Sequence, residues 1–78
     1  MTVRYFAAAR AAAGVSDEQA EAATLGTLLA AVQAGRGERF SAVLSASSFL
    51  VDGLVWRDRE APLPDGATID VLPPFAGG

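Results

Sequence analysis

Phe49-Leu50-Val51-Asp52-Gly53-Leu54-Val55-Trp56 is the stretch on which the fold turns. Two β-prone runs flank Asp-Gly, a dipeptide favoured in two-residue hairpin turns, so an antiparallel hairpin is predicted here. Downstream, Arg57-Asp58-Arg59-Glu60 is an exposed charged run and Pro62-Leu63-Pro64-Asp65-Gly66 supplies turn chemistry. Residues 68–72, Thr-Ile-Asp-Val-Leu, then read as a last strand with Ile69 and Val71 pointing inward. Upstream, residues 38–47 place Phe40, Val43 and Leu44 at helical spacing over little more than two turns, a second short helix or an irregular turn. Thr24 reads as an N-cap before Leu25, Leu28, Leu29 and Val32, one apolar stripe that Gly35 ends.

Toward the N-terminus the signals weaken. Residues 16–23 carry Asp17, Glu18 and Glu21 among alanines, the pattern of a short charged edge strand or a loop. Residues 7–13 are alanine broken by Arg10 and stop at Gly14, a short helix. Residues 3–6 open the chain as a strand, with Val3 and Tyr5 on one face and Arg4 and Phe6 on the other. The order is strand, short helix, weak strand, long helix, hairpin, strand. It describes an α+β fold, a ubiquitin-like β-grasp roll, with a mixed sheet of four to five strands and one main amphipathic helix across one face. In such a roll the first and last strands pair in parallel at the sheet centre, joined by the crossover that parallel pairing requires. Residues 1–72 form a single domain and 73–78 a flexible diglycine tail.

Composition narrows the chemistry. The chain has 78 residues, 51% of them hydrophobic and 19% charged, with a net charge of −3, which fits one small domain. There is no Cys, no His and, because all six basic residues are Arg, no Lys. Cys or His nucleophiles, His-assisted Ser triads, Schiff-base lysines and Cys/His zinc sites are thereby excluded. The nine Asp and Glu residues are scattered, so no metal site is expected. A pI near 4.6 and dispersed arginines argue against nucleic acid and anionic membrane, and point to a protein partner with a basic docking surface. Met1 leads directly into the first strand with no signal-peptide pattern, and no apolar run approaches a membrane span, so a cytoplasmic location is expected.

The most unusual segment is Leu72-Pro73-Pro74-Phe75-Ala76-Gly77-Gly78. Pro73 and Pro74 cannot continue a central strand and favour a stiff, extended exit. Gly77 and Gly78 have no side chains, so the backbone and its carboxylate can enter a channel too narrow for other residues. Six extended residues from Pro73 reach about 20 Å, enough to place that carboxylate in a partner's active site while the body stays docked outside. Phe75 offers an anchor on the way. The plain alternative is a frayed chain end, but in a chain with so few other reactive groups the carboxylate of Gly78 is the leading reactive candidate.

The sequence resembles the small, sulfur-carrying subunit of molybdopterin synthase, within the ubiquitin-like sulfur carriers. The resemblance rests on Val3-Arg4-Tyr5-Phe6-Ala7 with Arg10 and Gly14, on Thr24-Leu25-Gly26-Thr27-Leu28-Leu29, and on Val51-Asp52-Gly53. It continues through Leu63-Pro64-Asp65-Gly66 and Asp70-Val71-Leu72-Pro73-Pro74 to Gly77-Gly78. It implies a carrier that is not catalytic alone and binds no cofactor. Its Gly78 carboxylate is adenylated with ATP by an activating enzyme similar to ubiquitin-activating enzymes. A sulfur donor protein then converts the adenylate to a thiocarboxylate. The loaded tail, Pro74 to Gly78, enters the large subunit of molybdopterin synthase and gives sulfur to a pterin precursor of the molybdenum cofactor. Phe75 stands where the family commonly has a small aliphatic residue. Related carriers serve thiamin, cysteine or tRNA thiolation, and a ubiquitin-like modifier conjugated through Gly78 is the other class; Phe6-Ala7 with Arg10 and Gly14 favours the molybdopterin branch.

A docking surface follows from alternation alone. Phe6 and Leu72 fall on the face opposite Val3, Tyr5, Ile69 and Val71, and one helix cannot cover both faces. Leu50 and Phe75 join them in an apolar interaction patch, unless the short helices fold over it, and Arg4 and Arg10 are positioned to meet acidic residues of the partner. Trp56 is either a satellite core residue or a contact.

Overall fold

Asp52 and Gly53 both adopt positive φ, 49° and 83°, the combination whose twist matches the strands it joins. The turn closes β3 (Ser48–Val51) on β4 (Leu54–Val55), with Val51 opposite Leu54 and Leu50 opposite Val55. Asp52 Oδ1 accepts the Thr68 amide at 2.9 Å and so ties the turn to the last strand. The computed structural model describes residues 1–74. Before the hairpin come β1 (Thr2–Tyr5), α1 (Ala7–Ala13), β2 (Asp17–Gln19), α2 (Leu25–Gln33) and α3 (Glu38–Ala46), and after it β5 (Thr68–Leu72).

The strands form one sheet in the order β2-β1-β5-β3-β4. Its central pair is parallel, with Val3 opposite Ile69 and Tyr5 opposite Val71, and the other pairs are antiparallel. This is the mixed sheet of the β-grasp roll that the element order describes. β1 stops at Tyr5 because Phe6, still extended, is already the N-cap of α1. β2 is shorter than residues 16–23: β1 runs out at Met1, whose carbonyl accepts the Ala20 amide at 3.0 Å.

Alternation sorts the sheet into two faces. Val3, Tyr5, Phe49, Val51, Ile69 and Val71 are each 4% exposed or less and make the covered face. Above them α2 lays down Leu25, Leu28, Leu29 and Val32, α3 adds Phe40 and Leu44, and α1 adds Ala9. The 38–47 segment is thus a helix, and it shares the cover with α2. Thr24 begins α2 in a reciprocal capping box: its hydroxyl accepts the Thr27 amide at 3.2 Å while Thr27 Oγ1 accepts the Thr24 amide at 3.1 Å. α2 ends at Gln33, two residues before Gly35. No helix among the described residues is long and apolar enough to cross a membrane.

A polar clamp ties the sheet edge to the helices. The Tyr5 hydroxyl and both guanidinium NH groups of Arg36 donate to the Glu18 carboxylate. Arg36 also donates to the Val32 carbonyl at 2.9 Å, at the end of α2 where a cation is favourable. Its guanidinium lies 5.1 Å from the Phe40 ring and 5.9 Å from the Tyr5 ring. Burial pushes the Glu18 carboxyl up, but the hydrogen bonds from Arg36 and Tyr5 and the charge of Arg36 outweigh it, leaving its pKa below the ordinary value.

Two expectations follow. Leu28→Ala, at a position with no exposure, should cost about 3 kcal/mol in urea unfolding. Glu18→Gln should cost about 1–2 kcal/mol at neutral pH. Because the folded pKa of Glu18 is depressed, its contribution is complete above the unfolded value of about 4.3 and fades as pH falls through the folded value. Urea midpoints of wild type and Glu18→Gln should therefore converge on acidification; a constant gap down to the acid-unfolding limit would refute the assignment.

Candidate functional site

The uncovered face of the sheet holds the residues the alternation placed there. Across its middle runs the row Asp17, Arg4, Asp70, Leu50, Val55, each opposite the next on neighbouring strands. Beside it, Tyr5 opposite Val71 and Ser48 opposite Leu72 fix the positions of Phe6 and Leu72. Among the described residues no helix folds over this face: Phe6 is 39% and Val55 62% exposed, and Leu50 and Leu72 are half-buried. Apolar side chains therefore flank a charged centre.

That centre is an ion pair. Arg4 Nε and an Nη donate to the two carboxylate oxygens of Asp70 at 2.6 and 2.9 Å, a bidentate fork. Asp70 is 8% exposed and is the one buried charged residue among the described residues, whereas the Arg4 side chain is half-exposed. The Asp70 hydrogen bond and charge hold the Arg4 pKa above its ordinary value. The Arg4 guanidinium also lies 5.6 Å from the Phe6 ring. Arg4 thus has an acidic partner within its own chain; Arg10 has none among the described residues. Asp70 and Val55 are members of this face that sequence reasoning did not single out. The signal was present in the period-two pattern: Asp70 alternates with Ile69 and Val71, and Val55 faces Leu50 across the turn.

The tail leaves from the same end of β5. Leu72 is followed by a half-buried Pro73 and an exposed Pro74. Both prolines wall an apolar cleft of about 260 Å³ with Ala8 of α1 and Ala42, Val43 and Ala46 of α3. The sequence expectations for Phe75, Ala76, Gly77 and Gly78 lie outside the described residues. Among the described residues no three His, Cys, Asp or Glu side chains come together as a metal set.

The profile of the ThiS family matches residues 3–78. The chain belongs to the ThiS family. Its architecture is that of the ubiquitin-like sulfur carriers. Among solved structures, this ThiS-family chain is similar to a putative molybdopterin converting factor subunit 1 from Pyrococcus furiosus. The two share 27% identity with a TM-score of 0.79, and 94% of each chain is covered. It is also similar to a chain in the complex of subunits 1 and 2 of the molybdopterin-converting factor from Helicobacter pylori, at 25% identity and a TM-score of 0.71 over 99% of this chain and 96% of that one. SAMP1 from Haloferax volcanii shares the fold at a TM-score of 0.83 and 21% identity, over 99% of this chain and 97% of that one. No curated protein matches the chain significantly.

Because Asp70 is nearly buried, removing Arg4 strands a carboxylate. Arg4→Met should lower the urea midpoint, and adding Asp70→Leu should restore much of the loss. Additive losses in that double-variant cycle would show that the pair contributes nothing.

Proposed function

We propose that this chain carries sulfur on the carboxylate of Gly78 and delivers it to a pterin precursor in molybdopterin formation. The observation that carries the reading is the family match running through residue 78, across the diglycine. The molybdopterin branch is supported by the Pyrococcus furiosus and Helicobacter pylori likenesses, together with Phe6-Ala7, Arg10 and Gly14.

A carboxylate resists attack by a sulfur nucleophile, so it must first gain a leaving group. A Gly78 carboxylate oxygen attacks the α-phosphorus of ATP on the activating enzyme and displaces pyrophosphate, forming an acyl-adenylate. Persulfide sulfur from a donor protein then attacks the acyl carbon and AMP departs. A thiol cleaves the resulting acyl disulfide, becoming oxidised to a disulfide and leaving the thiocarboxylate. Beyond the Gly78 carboxylate that attacks ATP, the work of this chain is to dock and to present the tail. The large subunit of molybdopterin synthase docks on the face of Phe6, Leu72, Leu50 and Arg4, a reading supported by the two-subunit complex of the Helicobacter pylori relative. Pro73 and Pro74, with no N–H for the ladder, end the strand ahead of the tail.

The chain contains no cysteine, so thiol alkylation of protein from its native host reports the thiocarboxylate without background. Mass spectrometry should place the label on Gly78. Tails found in isopeptide bonds, with no label, would overturn sulfur carriage in favour of protein modification. Phe6→Asp and Leu72→Asp should leave the circular dichroism spectrum unchanged and weaken large-subunit binding by about tenfold or more. Unchanged affinity in a titration would remove this face from the interface.

A further inference from the structure

A second cleft, of about 240 Å³, opens at the end of the short edge strand β4. Ser47, Ser48, Phe49, Trp56, Arg57 and Arg59 line it, and no acidic residue does. Arg57 and Arg59 have no ion partner among the described residues, although the chain carries nine carboxylates and a net charge of −3. Asp58, between them, turns away and accepts the Glu60 amide at 2.9 Å. The indole Nε1–H of Trp56 is buried and has no acceptor among the described residues. The cleft thus presents two guanidinium groups with no acidic partner among the described residues.

Arg59 is also held in place. The Arg59 guanidinium sits 5.4 Å from the Phe49 ring, and its carbonyl accepts the Gly26 amide at 3.0 Å, on the first turn of α2. Gly26 permits that approach: a Cβ there would lie 3.3 Å from the Arg59 carbonyl oxygen. Val55, which also lines the cleft, and its neighbour Leu54 are 62% and 67% exposed on the sheet's edge strand.

We propose that this cleft is a docking site for an acidic side chain on an extended, partly apolar segment of a partner protein. Charge complementarity selects a carboxylate, and the exposed edge with Leu54 and Val55 selects an extended peptide carrying it. The chain's overall charge favours a basic partner surface, and this cleft is the local exception. Ser48 of β3 pairs with Leu72, so a segment seated here is one strand away from the strand that leads into the tail, and a partner can grip both the open face and this cleft. The site does not depend on what Gly78 carries.

Trp56 is the single tryptophan, so its indole N–H gives one signal by NMR. A blocked peptide alternating valine with glutamate puts all its carboxylates on one side when extended. Titrated into the full chain, it should shift that signal saturably at about millimolar concentration. The same peptide with glutamine should not, and Arg57→Gln/Arg59→Gln should weaken the response about tenfold or more. Arg57→Gln alone, at an exposed side chain, gives the same reading in smaller measure if the double variant does not fold. No shift with the glutamate peptide, or an equal shift with the glutamine peptide, would overturn the proposal. So would inorganic phosphate acting as strongly as the glutamate peptide, which would mark a site for small anions rather than a peptide dock.

Discussion

Parallel pairing of β1 with β5 is the constraint on which the rest of the molecule depends. Arg4 and Asp70, 66 residues apart in sequence, lie side by side because of it. Parallel neighbours cannot be joined by a tight turn, so the chain between them must cross over a sheet face. α1, α2 and α3 all contribute to the face that this crossover covers, and the opposite face stays bare. β2 and the hairpin can add only at the outer edges of the central pair. A slip of one residue between β1 and β5 would turn Ile69 and Val71 outward and carry Asp70 into the core.

The same pairing gives the bare face its character. Asp70 in a central strand would be a costly choice if it stood alone, since a nearly buried carboxylate needs a partner. Arg4 supplies it from the neighbouring strand through a two-pronged contact, while its own side chain remains half-exposed. The pair is therefore a fixed polar mark within an apolar surface of Phe6, Leu72, Leu50 and Val55. A partner that meets this face with apolar groups alone desolvates Arg4 without compensation, so the pair disfavours indiscriminate apolar contacts at little cost in area.

Most of this was legible in the sequence where local chemistry decides the structure. Asp52-Gly53 fixes its turn, Thr24 fixes the start of α2, and the alternation of Val3 and Tyr5 with Arg4 fixes which way β1 faces. The legibility fades where tertiary partners decide. The length of β2 is set by where β1 ends, not by its own alanines and carboxylates. The 38–47 segment is helical because Phe40 and Leu44 find the core beside Tyr5, and its short apolar pattern did not separate that outcome from an irregular turn. Arg4 was legible as an exposed cation but not as the partner of Asp70, a contact that exists only once two distant strands have paired.

Arg57 and Arg59 show the same limit more sharply. In sequence they alternate with Asp58 and Glu60, which reads as a solvated, self-neutralising run. The fold breaks that neutrality by geometry: Asp58 accepts the Glu60 amide, Arg59 is drawn over Phe49, and the loop is pinned by Gly26 to the start of α2. Charges that cancel along the chain are thereby separated in space. A molecule with a net negative charge can in this way present a local cationic cleft at the edge of its sheet. Long-range attraction follows the net charge, whereas short-range register follows the cleft and the Arg4–Asp70 pair. Because the two act at different distances, approach and alignment of a partner can be governed separately.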